Sequence, residues 1–145
     1  MASNLTESDI QNLAADWYKK LDVHAPLVDI LPLLTEEGLE MIFPEATVKG
    51  LAGFEGWYEC VIRIFFDEVH TLKLVSAEIN GDSAKVHVVV DWAASVWTPP
   101  NANSARIMLD ADQTWTVKKL PTTGRTVITS YAVNSLDYHA GSAKL

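Results

Sequence analysis

The sequence predicts a single α+β domain in which helices pack on one face of an antiparallel sheet. Apolar residues recur at helical spacing through the first half of the chain, and long alternating or continuous apolar runs fill the second half. No repeat, low-complexity tract or linker divides the chain. With 145 residues, 48 % of them hydrophobic and 21 % charged, residues 1–145 make one domain with a real core.

Residues 5–22 form the first helix. Thr6 is its N-cap with Asp9 three residues on, and Leu5 and Ile10 are placed as a hydrophobic staple. Ile10, Leu13, Ala14, Trp17 and Leu21 make one apolar stripe. A shorter helix starts at Pro26, a good first-turn residue, and Pro32 limits it. Thr35 to Gly38 is a turn, and LEMIFP at 39–44 is a short strand closed by Pro44. GFEGWYECVIRIFF at 53–66 is a third helix, with Phe54, Trp57, Val61, Ile64 and Phe65 on one face. Four strands follow at 69–79, 84–97, 104–118 and 125–137. NGD (80–82) is a strong hairpin signal between the first two, TPPNAN (98–103) is a longer loop, and LPTTGR (120–125) closes the last pair. Residues 138–145 read as a tail.

The net charge of -8 argues against nucleic acid, since phosphate binding needs clustered Lys and Arg and the longest basic run is Lys118-Lys119. The single cysteine, Cys60, excludes a disulfide within the chain and a cysteine-based zinc site, and it fits a reducing, cytoplasmic setting. MASNLTESDI lacks the basic start and apolar core of a signal peptide, and no run of ~18 apolar residues exists to span a membrane. Ala143-Lys144-Leu145 is close to the peroxisomal address Ser-Lys-Leu, although GSAKL reads first as a frayed tail. There is no phosphate-binding glycine loop, dinucleotide fingerprint, metal-spaced His/Glu motif or nucleophile elbow, so neither a metal nor an organic cofactor is expected.

LAADWYKKLD, FPEATVKGLAGFEGWYECV, FFDEVH, NGDSAKVHVVVDW and QTWTV followed by GRTVITSYAVNSL come in an order that resembles the nuclear-transport-factor-2-like (SnoaL-like) superfamily over residues 8–137. The resemblance implies an NTF2-like cone, with three N-terminal helices packed on a curved, mainly antiparallel sheet that encloses a pocket for a small, often hydrophobic molecule. It further implies cofactor-free proton transfer by carboxylates, His and Tyr, as in ketosteroid isomerase, scytalone dehydratase, limonene epoxide hydrolase and polyketide cyclases. Other proteins of this kind bind or assemble without catalysis. The isomerase's base aligns with Phe43 before Pro44, its first-helix tyrosine with Trp17, and its strand acid with Gln113, and these departures argue against a steroid-isomerase mechanism.

Strand faces order the candidates. In 84–97 the even positions Val86, Val88, Val90, Trp92, Ala94 and Val96 are all apolar, whereas the odd positions are mixed. The uniform face meets the helices, which sends Trp92 inward and Asp91 outward. Val89, Ala93 and Trp97 then form an apolar patch on the outer sheet face, and a homodimer through that face is expected. In 104–118 the same argument presents Gln113 and Trp115 to the pocket and keeps Asp110 and Asp112 outside, unless a bulge near Leu109 to Asp112 turns them in.

His70, directly after FFDEV, is the candidate proton carrier, because histidine is the side chain that exchanges protons near neutral pH; the alternative is a structural histidine that closes the strand entrance by hydrogen bonding. Tyr18 and Tyr131 offer hydroxyls to a carbonyl or enolate oxygen, with Gln113 as a further polar partner. Asp91 joins this catalytic set if the register turns it inward. Trp17, Phe43, Phe54, Trp57, Trp92 and Trp115 are together expected to line the ligand pocket, although each alone is more often an ordinary core residue. His24 is expected at the surface, His87 beside Asp91, His139 in the tail, and Glu45, Glu55, Glu59 and Asp67 in solvent. The expected function is that of a protein binding a small hydrophobic molecule, as a cofactor-free isomerase, dehydratase or cyclase. The alternative is a non-catalytic hydrophobic-ligand-binding or protein-assembly module.

Overall fold

The computed structural model describes residues 4–145; the first three residues of the MASNLTESDI opening lie outside the described residues. The chain runs α1 (Glu7–Asp22), α2 (Leu27–Ile30), a 3-10 turn (Leu31–Leu33), β1 (Glu40–Ile42), β2 (Thr47–Lys49), α3 (Gly50–Ile64), β3 (Phe65–Asn80), β4 (Ser83–Val96), β5 (Ala105–Lys119) and β6 (Thr126–Tyr138). Its sheet has the order β2-β1-β6-β5-β4-β3, antiparallel except for the β1–β6 pair. The α+β architecture is the one the sequence predicts.

Two boundaries differ. β2 was not foreseen, because three residues are too few to show a period, and Gly50, at φ +72°, turns the chain from it into α3. Phe65 and Phe66 belong to β3 and not to the third helix, which ends where Phe65 turns extended at φ -105° and ψ 144°.

α1 is fixed at its start by a reciprocal cap. The Asp9 N–H donates to Thr6 Oγ1 at 3.1 Å, and the Thr6 N–H donates to Asp9 Oδ2 at 3.0 Å. Its buried face, Ile10, Leu13, Ala14, Trp17, Tyr18 and Leu21, lies on the sheet. The sheet returns the matching face from its central pair. β4 and β5 stay in register from Ser83↔Lys118 to Val96↔Ala105 without a shift. Val86, Val88 and Val90 of β4 are buried, as are Ile107, Leu109, Gln113, Trp115 and Val117 of β5. Trp92 therefore points inward and Asp91 outward, and with no bulge in this pair Asp110 and Asp112 stay on the outer face too.

The flanking strands are irregular. β3 places Asp67 and Glu68 opposite Ala94 alone and carries Lys73 as an extra residue, while β6 carries Thr129 and Asn134 as extras. An extra residue reverses which face the following side chains occupy. Phe65 and Glu68, three apart, thus share the inner face, as do Ile128 and Tyr131.

The tail is not frayed. His139 N–H donates to Met108 O at 2.9 Å, Met108 N–H to Ser142 Oγ at 2.8 Å, and Ala143 N–H to Arg106 O at 2.9 Å. This returning segment brings Leu145 to the edge of the interior cavity.

The outer face is laced with ion pairs. Asp110 lies between Lys73, at 2.7 Å, and His139, at 2.9 Å, while Arg106 donates to Asp67 O and Ser95 Oγ. His87 pairs with Asp112 at 2.9 Å rather than with Asp91. The Lys73 hydrogen bond, then that of His139, holds the Asp110 carboxyl below its ordinary range; Asn134, then His87, does the same for Asp112. A folded-state pKa below the unfolded one, near ~3.9, gives stability that is complete above that value and is lost as the pH falls through the folded value. Urea midpoints should therefore drop on acidification, and Asp110→Asn should flatten that drop. An unchanged pH slope in the variant would remove Asp110 as a contributor.

Candidate functional site

A cavity of about 420 Å³ lies between α1, α3 and the inner face of β3 to β6. That volume suits a small ligand. Its apolar wall includes Phe43, Trp57, Val61, Ile64, Val90 and Leu136, with the Phe43 and Trp57 rings stacked at 4.2 Å and 5°. The indole N–H of Trp57 is buried with no partner among the described residues. Cys60 of α3 stands exposed at the cavity's rim.

The polar groups of the wall are few and organised. His70 leads them. Its ring lies between Tyr18, stacked at 4.7 Å, and Trp92, at 6.1 Å, and its side chain is 9 % exposed. Asp22, the last residue of α1, grips it twice. Nδ1 is 2.6 Å from Asp22 Oδ1, and the His70 backbone N–H donates to Oδ2 at 3.2 Å. A carboxylate only accepts, so Nδ1 carries a proton, and in the neutral ring Nε2 is the nitrogen with the free lone pair. Nε2 has no partner among the described residues. The arrangement is that of a general base held in one tautomer by a carboxylate behind it.

Opposite stands a network of donors. Trp115 Nε1 donates to Gln113 Oε1 at 2.8 Å, and Tyr18 Oη donates to the same oxygen at 2.9 Å. An indole N–H can only donate, which fixes the oxygen of Gln113 toward Trp115 and leaves its NH₂ as the outward-facing donor. The Tyr18 proton is committed to Gln113, so Tyr131 is the donor across the 3.4 Å contact between the two hydroxyls. That contact is long, and a ligand oxygen can compete for the Tyr131 proton. Burial first, and Tyr131 second, pushes the Tyr18 phenol well above its ordinary range; burial also raises Tyr131. Both remain O–H donors at neutral pH.

A third polar group, Glu68, is buried in the wall. Trp92 Nε1 donates to its Oε1 at 3.1 Å, and His24 Nε2 lies 2.5 Å from its Oε2. Beside it Tyr58 donates to Ala25 O at 2.6 Å, and burial followed by the Glu68 charge pushes that phenol up to about 12.

The structure brings Tyr18, His70, Gln113 and Tyr131 together at the cavity, with Phe43, Trp57 and Trp92 in its wall. It corrects three expectations. Asp91 is outside, opposite Asp110 on the outer face, because the β4–β5 register is regular. Trp17, Phe54 and Trp115 are fully buried but do not line the cavity; they fill the layer behind it. His24 is not a free surface group, since it binds Glu68. Asp22, Tyr58 and Glu68 were missed. Asp22 had no local signal, its partner being 48 residues away. Glu68 had one: its place two residues before His70 on one strand.

No protein-family model matches the chain, and no curated protein matches it. Solved structures do. A candidate scytalone dehydratase from Novosphingobium aromaticivorans is similar at TM-score 0.75 and 18 % identity, over 94 % of this chain and 90 % of that one. A hexachlorocyclohexane dehydrochlorinase, LinA type 2, is similar at TM-score 0.68 and 18 % identity, over 95 % and 91 %. An NTF2-like superfamily protein from Salmonella enterica serovar Typhimurium is similar at TM-score 0.69 and 17 % identity, over 97 % and 95 %. Likeness at these identities is a likeness of fold.

Gln113 is the acceptor on which two buried donors depend. Gln113→Leu should lower the unfolding free energy by about 2–6 kcal/mol, since each of the two orphaned buried groups costs about 1–3 kcal/mol. Urea denaturation measures this, and a loss below about 1 kcal/mol would mean that the two donors find other partners.

Proposed function

We propose that this chain, which has the NTF2-like fold, is a cofactor-independent acid/base enzyme acting on a small hydrophobic substrate. Its reaction class is that of an isomerase, dehydratase or cyclase, and begins with removal of a proton from carbon next to a carbonyl. The observation that carries the reading is the Asp22–His70 pair, whose imidazole lines an otherwise apolar cavity. His70 Nε2 takes the proton, and Asp22 holds the tautomer and stabilises the imidazolium that forms. In this reading the Gln113 NH₂ and the Tyr131 hydroxyl, joined through Tyr18, hold the carbonyl oxygen as negative charge builds on it. Proton transfer of this kind needs no metal or organic cofactor. A homodimer through the outer sheet face, with Val89, Ala93 and Trp97 at its centre, and a cytoplasmic location complete the reading; Trp97 is 52 % exposed.

The dominance of apolar side chains in the wall favours one alternative, a cavity that holds a hydrophobic ligand without turning it over.

The test is wash-in of deuterium from heavy water into benzylacetone, an apolar ketone with acidic α-hydrogens. The wild-type protein should catalyse it, and His70→Gln should lose about 10²–10⁴-fold of the rate. Asp22→Asn should fall in the same direction. A wild-type protein that binds benzylacetone and does not exchange it favours the binding reading. A strict monomer in light scattering would remove the homodimer.

A further inference from the structure

The cavity wall contains two histidine–carboxylate pairs built in opposite senses. In Asp22–His70 the imidazole lines the cavity and the carboxylate stands behind it. In His24–Glu68 the carboxylate lines the cavity and the imidazole stands behind, in an open recess on the far side of the wall. Glu68 borders both spaces and forms the partition between them. Its side chain is 4 % exposed, and that of His24 is 27 % exposed. The titratable and charged groups around Glu68 come from four directions: Asp22 and His24 at the end of α1 and the turn after it, Tyr58 of α3, Asp67 and His70 of β3, and Arg106 of β5. Such a pair can pass a proton between solvent and a group inside an apolar wall.

The spacing of the two pairs matters. Asp67, at φ +50°, opens the bulge that sets Glu68 and His70 on the inner face. Two residues along a strand separate them by about 7 Å. A base and an acid at that distance can straddle two adjacent carbons of one ligand, each within about 3–3.5 Å of the atom it serves.

We propose that Glu68 is the general acid of this site, supplied with protons from solvent through His24, and that the substrate is a small apolar β-hydroxy carbonyl compound that loses water. The proposal rests on the reading of His70 as the base. His70 Nε2 takes the proton from the carbon next to the carbonyl. The electron pair of that C–H bond becomes the second bond of a C=C. The C–O bond at the neighbouring carbon breaks, and its pair leaves with the hydroxyl. A proton that Glu68 has taken up from His24 joins that hydroxyl, which departs as water. The His70 imidazolium then returns its proton to solvent. His24 reprotonates Glu68 and takes a proton from solvent in turn. The protein is restored, and the substrate has lost one water.

Two probes separate acid from base on the full chain. Benzylacetone exchanges its α-hydrogens for deuterium with a base alone. The aldol adduct of benzaldehyde and acetone exchanges them and also eliminates water, giving a conjugated enone that absorbs in the ultraviolet. In Glu68→Gln the ratio of elimination to exchange should fall about tenfold or more, because only elimination needs the acid. The ratio cancels general damage to the cavity. His24→Asn, whose side chain tolerates the backbone at φ +49°, should lower the same ratio without touching the cavity, and it decides the matter if Glu68→Gln does not fold. An unchanged ratio in folded variants overturns the proposal and leaves the base intact. Exchange without any elimination in the wild-type protein overturns it as well. No exchange in the wild-type protein overturns the reading of His70, and this proposal falls with it.

Discussion

Strand alternation, and the few places where it breaks, decides what this cavity contains. β4 and β5 alternate without interruption, so their inner face is apolar except for the indole N–H groups of Trp92 and Trp115 and the amide of Gln113. Glu68, His70 and Tyr131 sit on irregular strands. β3 needs the bulge at Asp67 to bring Glu68 inward in step with His70, and β6 needs Thr129 as an extra residue to bring Tyr131 inward after Ile128. The bulge is held in a conformation that L-residues visit at a cost of roughly 1–2 kcal/mol, although aspartate tolerates it better than most. A regular strand at the first place would turn Glu68 and His70 away from the cavity, and at the second it would turn Tyr131 away.

Rigidity reaches the site from the layer behind it. Trp115 stacks on Tyr131 at 5.2 Å while donating to Gln113, and Trp17 packs against both Tyr131 and Phe54 at 5.8 Å. These indoles do not line the cavity, yet they fix the angle at which the tyrosine and the amide face it. Hydrogen-bond direction then propagates from one end. The indole can only donate, so the glutamine must turn its oxygen to it, Tyr18 must donate to that oxygen, and Tyr131 is left with the proton of weakest commitment.

Much of the fold was legible because it rests on period. The stripe from Ile10 to Leu21, the Asn80-Gly81 turn and the even-numbered face of β4 are statements about spacing, and the Trp92-in, Asp91-out arrangement follows from the last of these. The site was half legible. His70, Tyr18, Tyr131 and Gln113 were marked by residue type and face. Asp22 and His24 escaped because their partners are 48 and 44 residues away, and pairing at that range leaves no trace in local sequence. Depth was not legible either. An aromatic residue at helical spacing reads the same whether it lines a cavity, as Trp57 does, or lies a layer behind it, as Trp17 does.

Cys60 gives the cavity a built-in handle. It is the chain's only thiol, and it stands exposed on α3 at the rim of the space that His70 and Glu68 face. A maleimide or a fluorescent thiol reagent would therefore mark one place on the molecule without any engineering, and its rate of attachment would register whether that space is filled. The reagent needs no knowledge of the natural ligand. An unlabelled mixture of small molecules can be screened for those that slow the modification of a single sulfur atom.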